Sequence, residues 1–378
     1  MTTQTKTTFA APAPITAGKR RVFSGIQPSG EVQLGNYLGA IKGWVERQEE
    51  KINFFCLVDL HAITVYQDPE ELRNQTRSLA AVLFAAGLHP DKSTVFVQSH
   101  VAAHAESCWV LNCVTPMGWL ARMTQFKEKA DRVRKEQRYS GPMSPGEMVD
   151  FLTGRDNRDG SISAGLFDYP VLMAGDILLY DTHEVPVGDD QRQHVELARD
   201  IAIRFNRIYG DTFVVPEPMI PEIGARVMGM NDPTVKMSKS YAHIRGHAVR
   251  MLDEPKEIER TIKRAVTDSG SDIVFSDDPE KAGVNNLLGI YKVITDKSQA
   301  DVVSDFADAR GYGDLKSRVA EVVIDALAPI QQRYYEFMDD PAELDRMLAR
   351  GAESAAAVAT PKMDELKRRV GFVLPPSQ

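Results

Sequence analysis

Two apolar runs, residues 52–58 (INFFCLV) and 94–98 (TVFVQ), constrain the fold of this chain more than any other feature. A strand with one wet face alternates apolar and polar residues. A nearly unbroken apolar run marks a strand buried on both faces, as in a parallel sheet covered by helices. Parallel neighbours also need a long crossover, and the helix predicted over 69–86 lies between the two runs. The alternation extends in both directions. Residues 21–24 read as a strand that breaks at Gly25, and 36–50 as a helix with Tyr37, Leu38, Ile41, Trp44 and Val45 on one stripe. Further on come a helix over 171–180, a strand over 184–187 and an amphipathic helix over 190–209. Strands alternating with helices imply an α/β fold built on a doubly wound parallel sheet.

After about residue 245 the strand pattern fades. The stretches 257–266, 284–293, 315–338 and 342–358 carry apolar residues three and four apart, the mark of helices. The expected organisation is therefore a sheet domain over 19–244 and an all-helical domain over 245–378. Within the first, the polar stretch of about 130–162, broken by Gly141, Pro142, Pro145, Gly154 and Gly160, reads as an insertion. Residues 1–18 hold a single charge, Lys6, with Pro12 and Pro14 against helix formation, and read as a disordered extension; a transit segment is the alternative.

Composition enters as a set of exclusions. At 43% hydrophobic and 26% charged residues over 378, the chain can build a large core and is not a disordered polymer. No uncharged apolar run is long enough to span a bilayer. Three cysteines, Cys56, Cys108 and Cys113, do not make a disulfide framework and fit reduced thiols in a cytoplasmic protein. A net charge of −8 argues against a blanket electrostatic grip on nucleic acid but leaves room for a local basic face. His100 and His104 lack the Glu of a zinc-binding H-E-x-x-H helix, so no dedicated metal site is expected.

Ligands of open α/β sheets collect at the carboxyl ends of the strands. The first such end carries Gly25, Gly30 and Gly35 before a helix whose free N–H groups suit a phosphate. Glu31 and Val32 stand where a P-loop needs Lys and Ser or Thr, and no G-x-G-x-x-G is present, so neither common nucleotide fingerprint applies. On glycines alone an ordinary tight turn would be the simpler reading. A second segment alters this: Lys236-Met237-Ser238-Lys239-Ser240 puts two ammonium groups and two hydroxyls into five residues. Two lysines three apart repel unless an anion lies between them, and a polyphosphate is such an anion.

At these two segments the chain resembles the class I aminoacyl-tRNA synthetases, with Pro28-Ser29-Gly30 through Gly35-Asn36 in place of the HIGH motif and 236–240 as KMSKS. It is most similar to the bacterial tryptophanyl-tRNA synthetase family, in the strings 23–30 (FSGIQPSG), 59–65 (DLHAITV), 122–127 (RMTQFK), 176–180 (DILLY) and 265–269 (AVTDS). The resemblance covers about 21–371 and implies a Rossmann-like catalytic core and a helical anticodon-recognition domain. It implies activation of L-tryptophan by ATP, with Mg2+ arriving on the nucleotide, transfer to tRNA(Trp), and a homodimer. Carried residue by residue, it places Gln27, Pro28, Ser29, Gly35, Asn36, Gly188, Asp189, Asp190 and Val227 around ATP. Lys236, Met237, Ser238, Lys239 and Ser240 fall on the phosphates, with Lys129 and Gln33 as further catalytic donors. Around tryptophan it places Asp176, Phe23, His61, Tyr169, Met173, Val185, Val187 and Gln191.

Asp176 has a physical warrant of its own. It stands in an otherwise apolar helix, where a carboxylate needs a donor, and an indole N–H is one; partial exposure or an arginine partner are the alternatives. The chain departs from the family pattern at several points. Gln33 replaces Thr, Asp189 replaces Glu, Tyr241 follows KMSKS where an acid is common, and the segment between Lys129 and Ser163 is longer than in the common bacterial forms. Basic residues outnumber acidic ones over 127–138, which fits either a contact with the tRNA acceptor stem or a solvated helix face. A tyrosine enzyme of the same class and a paralogue that binds ligand without charging tRNA remain open on these grounds.

Overall fold

The computed structural model describes residues 18–124, 163–188, 191–219, 226–237 and 244–375. Its centre is a five-stranded parallel sheet of order β3-β2-β1-β4-β5, made of β1 (Arg21–Ile26), β2 (Ile52–Leu57), β3 (Thr94–Val97), β4 (Glu184–Pro186) and β5 (Glu217–Met219). β1 pairs with β2 along its length, from Arg21↔Ile52 to Ile26↔Leu57, and with β4 at Val22↔Glu184. The order reverses between β1 and β4, which opens a crevice at their carboxyl ends.

The apolar runs of β2 and β3 are buried on both faces. Phe55, Leu57, Val95 and Val97 enter one hydrophobic cluster, and Phe54, Cys56 and Phe96 the other. Helix α1 (Pro69–Ala86) covers the first face. Its bounds agree with the sequence reading because both ends are chemically marked. Asp68 accepts the N–H groups of Glu70 and Glu71, and Gly87 takes a left-handed φ of 117°. Helices α2 (Ala103–Asn112), α3 (Ala164–Leu178) and α4 (Arg192–Tyr209) cover the second face.

Beyond β5 come α5 (Pro255–Lys263), α6 (Ala282–Thr295), α7 (Gln299–Asp305), α8 (Tyr312–Asp339) and α9 (Pro341–Arg369). Helix α9 changes sides. Leu344 and Leu348 belong to the first cluster, and Ala352, Ala355, Ala359, Met363 and Leu366 to the second. The helix crosses at Gly351, where a Cβ would stand 1.8 Å from the Val95 carbonyl oxygen. This covers the β3 edge of the sheet, an edge that would otherwise offer unpaired backbone to another chain.

Several elements differ from the sequence expectation. The helix expected over 36–50 begins at Leu34 and consists of Leu34–Asn36, a π-type segment Tyr37–Ile41 and Lys42–Glu46. The helix expected from Val171 starts at Ala164, where the Ser163 hydroxyl accepts the Leu166 N–H at 3.1 Å, and runs through Pro170. Proline reads as a helix start in sequence, although a first-turn cap can lie upstream. The last helix likewise runs through Pro361 rather than stopping at 358. Strand β5 was not expected, since three residues including Pro218 give no period, nor were α2 and α7. Among the described residues no helix is long and apolar enough to cross a membrane.

Candidate active site

Four strands deliver residues to the crevice from their carboxyl ends. After β1 come Gln27, Pro28 and Ser29; after β2, His61; after β3, Gln98; and after β4, Val187, Gly188 and Gln191. Asp59 ties two of these ends together. Its carboxylate accepts the Leu60 and Ser99 N–H groups and the Ser99 hydroxyl, which fixes the turn bearing His61 against the turn bearing Gln98.

Both turns converge on Asp176 of α3, which is 1% exposed. Its Oδ1 accepts from Gln98 Nε2 at 2.7 Å and His104 Nδ1 at 2.6 Å, and its Oδ2 accepts from His61 Nε2 at 2.8 Å. His104 Nε2 also meets the Tyr180 hydroxyl, 2.8 Å away, which joins Tyr180 to the same network. Burial on its own would raise the Asp176 pKa. Hydrogen bonds and charge from His104 and His61 outweigh it and hold the group down at about 2. Burial pushes the Tyr180 phenol well up, so it stays a protonated donor.

The acid is thus neither partly exposed nor, among the described residues, paired with arginine; two histidines and an amide hold it. A carboxylate accepts about four hydrogen bonds, two on each oxygen. Oδ1 is filled by the protein, and among the described residues Oδ2 has one place left. Gln98, His104 and Tyr180 are site residues that sequence reading missed. The available signals were Tyr180 at i+4 from Asp176 and a histidine between two alanines at the start of α2.

The other residues expected around the amino acid fall as follows. The Tyr169 hydroxyl meets His194 Nε2 at 2.9 Å, and its ring stands edge-on to His61 with centroids 6.2 Å apart. Phe23 stacks on Tyr180 at 5.5 Å, and Val185 shares its cluster, with Met173 and Val187 partly buried against it. Gln191 stands at the start of α4, where its backbone N–H donates to the carbonyl of the exposed Gly188 at 2.9 Å.

The two segments paired from the sequence meet in space. A Cβ on Gly35 would lie 3.2 Å from the Met237 carbonyl oxygen, so the first loop and the lysine segment are in close contact, with little room for a side chain there. Leu34 N–H donates to Val249 O and Met251 N–H to Val32 O, stitching the first loop to the chain beyond the lysine segment. Residues 227–237 form a hairpin with Met228 opposite Lys236 and Met237 N–H on Val227 O. Val227 and Met237 are buried in the core, while Lys236 is exposed.

Asn36 Oδ1 accepts the Gln33 N–H at 3.1 Å. The Gln33 side chain is 1% exposed, and both its amide atoms lack a hydrogen-bond partner among the described residues. Buried, unpaired amides are costly, so a polar ligand group is the natural complement to this one. Lys129, Asp189, Asp190, Ser238, Lys239 and Ser240 lie outside the described residues, as do Tyr241 and the insertion over 130–162.

A sequence model of the family described as tRNA synthetases class I (W and Y) matches residues 16–328. The chain belongs to this family. Among curated relatives it is 48% identical over 355 residues to the tryptophan–tRNA ligase of Wolinella succinogenes, covering 94% of this chain and 99% of that protein. It is 50% identical over 355 residues to the enzyme of the same name from Caldanaerobacter subterraneus subsp. tengcongensis, with the same coverage. Among solved structures, tryptophanyl-tRNA synthetase from Campylobacter jejuni, complexed with ADP and tryptophan, is 34% identical with a TM-score of 0.75, covering 93% of this chain and all of that one. The Mycoplasma pneumoniae enzyme is 31% identical with a TM-score of 0.79, covering 94% and 98%. Tyrosyl-tRNA synthetase from Archaeoglobus fulgidus, 21% identical with a TM-score of 0.58, shares the fold.

Proposed function

We propose that this chain is a tryptophan–tRNA ligase. The observation that carries the reading is the contact between Gly35 and Met237, which brings a glycine-lined helix start and the lysine segment together. The reaction runs in two steps. A tryptophan carboxylate oxygen attacks the α-phosphorus of ATP, the α–β bridging P–O bond breaks, and pyrophosphate leaves with its Mg2+. A ribose hydroxyl of the tRNA terminus then attacks the adenylate carbonyl, releasing AMP. Neither step forms a bond to the protein, so alignment and charge stabilisation do the catalysis.

In this reading Gln27, Pro28, Ser29, Gly35 and Asn36 border the nucleotide, with Gly188, Asp189 and Asp190 at the ribose and adenine side and Val227 packed beneath. Lys236 and Lys239, with Lys129 and the Gln33 amide, hold the phosphates and follow the departing pyrophosphate; Met237, Ser238 and Ser240 carry the loop. Asp176 takes the indole N–H on the free place of Oδ2, which admits a donor and nothing else. Phe23, Met173, Val185 and Val187 wall the ring, and His61, Tyr169 and Gln191 face the amino and carboxylate groups.

The helices beyond residue 245 read the anticodon of tRNA(Trp). A second copy of the chain covers the exposed Ile63, Val65 and Tyr66 after the His61 turn, with Trp109 of α2 and Met117. ATP–pyrophosphate exchange followed by tRNA aminoacylation, each with tryptophan and tyrosine, tests the assignment. Exchange with tryptophan and none with tyrosine is expected. Tryptophan binding without charging of tRNA would make the chain a ligand-binding paralogue.

A further inference from the structure

The hairpin that carries Lys236 is held by a residue that neither segment motif contains. On its inner strand, Met228 donates its N–H to Asn286 Oδ1 at 2.8 Å and accepts from Asn286 Nδ2 at 3.0 Å. One asparagine side chain on α6 thus takes the place of a neighbouring strand, satisfying both backbone groups of the residue directly opposite Lys236. Two further bonds anchor the same strand: Met230 O accepts the Val266 N–H at 2.7 Å, and Met230 N–H donates to His247 O at 2.9 Å. Asparagine is a poor helix former, so a buried one in the middle of α6 costs helix stability that its side-chain bonds offset. The other strand of the hairpin runs into Met237, which touches Gly35.

We propose that Asn286 is a positioning residue for adenylate formation. It fixes the strand opposite Lys236 to α6, so that the placement of the lysine hairpin against the first loop is set from that helix. A displacement of α6 then changes where the Lys236 ammonium group stands over the phosphates. This rests on the reading that Lys236 serves the nucleotide, and the test separates the two.

The full-length protein is compared with Asn286→Ala, which removes both bonds, and with the isosteric Asn286→Asp. The aspartate keeps the acceptor for the Met228 N–H but turns a carboxylate oxygen toward the Met228 carbonyl. ATP–pyrophosphate exchange is measured against ATP concentration, and tryptophan affinity and stoichiometry by equilibrium dialysis without ATP. In both variants kcat/KM for ATP falls by about tenfold or more, while tryptophan Kd and stoichiometry stay within about twofold. Unchanged exchange, or a loss matched by falling tryptophan stoichiometry, overturns the proposal, the latter because it marks lost folded protein. Lys236→Ala is run beside them. If it leaves exchange intact, the phosphate reading itself fails; if it cripples exchange while the Asn286 variants do not, only the coupling fails.

Discussion

Replacing Asp176 with asparagine changes one atom in a site where each lone pair has a use. Oδ1 serves Gln98 and His104, so the variant keeps its carbonyl there and places its NH2 where Oδ2 faced His61. His61 can meet that group by moving its proton to Nδ1 and accepting at Nε2. What cannot be repaired is the free place on Oδ2: an indole N–H would then meet a donor. The stability cost can be reached in two ways. The Asp176 pKa of about 2, against an ordinary 3.8, corresponds to about 2 kcal/mol of preference for the ionised form in the fold. Turning three charge-assisted hydrogen bonds into neutral ones costs about 1 kcal/mol each, about 3 kcal/mol in all and of the same order.

Tryptophan pays more than the fold does, since a lost charge-assisted bond and a donor opposed to a donor together cost about 3–5 kcal/mol, or about 10²- to 10³-fold and above. The assay is ATP–pyrophosphate exchange with tryptophan and with β-(3-benzothienyl)alanine, in which sulfur replaces the ring N–H. In the parent, kcat/KM favours tryptophan by about 10²-fold or more. In Asp176→Asn that ratio collapses toward unity, chiefly through loss of tryptophan. If both substrates fall together and their ratio is unchanged, Asp176 is an internal strut and the indole is recognised elsewhere.

Three further outcomes are expected. Lys239→Ala and Lys236→Ala slow ATP–pyrophosphate exchange by about 10²-fold with tryptophan Kd, measured by equilibrium dialysis, unchanged; intact exchange would remove the phosphate role of either. Gly351→Ala lowers the urea midpoint by the equivalent of about 1–3 kcal/mol, because its Cβ meets the Val95 backbone, which cannot turn aside as a side chain could; an unchanged or raised midpoint would refute the crossing geometry. Acid titration of the fold gives the third. A carboxylate with a depressed folded pKa stabilises above its unfolded value and loses that contribution as pH falls through the folded one. The parent therefore sheds about 2 kcal/mol between pH 3.8 and 2 on account of Asp176, which Asp176→Asn does not, and parallel unfolding curves would contradict it.

The sheet was legible in the sequence because burial on both faces leaves a pattern of its own, as in Phe54-Phe55-Cys56-Leu57. Helix α1 was legible to the residue because Asp68 and Gly87 are local chemical stops. Strand β5 was not, since Glu217-Pro218-Met219 becomes a strand only through pairing with β4. The crossing of α9 was hidden for a related reason: Gly351 in sequence is a tolerated helix glycine, and its purpose lies in Val95, far away in the chain. Asp176 stood out as an acid among apolar neighbours, but its donors come from two other strand ends, and no spacing rule links Gln98 and His104 to residue 176.

The two halves of the crevice are held by different means, and this bears on how they work. Around Asp176, side chains are bonded to side chains: Gln98, His61 and His104 to the carboxylate, Tyr180 to His104, and Asp59 across the turns that bear the first two. Moving any one member strands a buried charge or donor, so this half is rigid and suits discrimination between amino acids. The lysine hairpin is held through its backbone, by Asn286, Val266 and His247, and these residues belong to chain beyond the sheet. Such an attachment ties the position of the hairpin to the helices rather than to the Asp176 network. Pyrophosphate must depart along the phosphates while the aminoacyl-adenylate stays, so the part that moves has to be the part that holds the phosphates. On the proposed reading, a fixed carboxylate at Asp176 and a Lys236 carried with the helices meet that requirement.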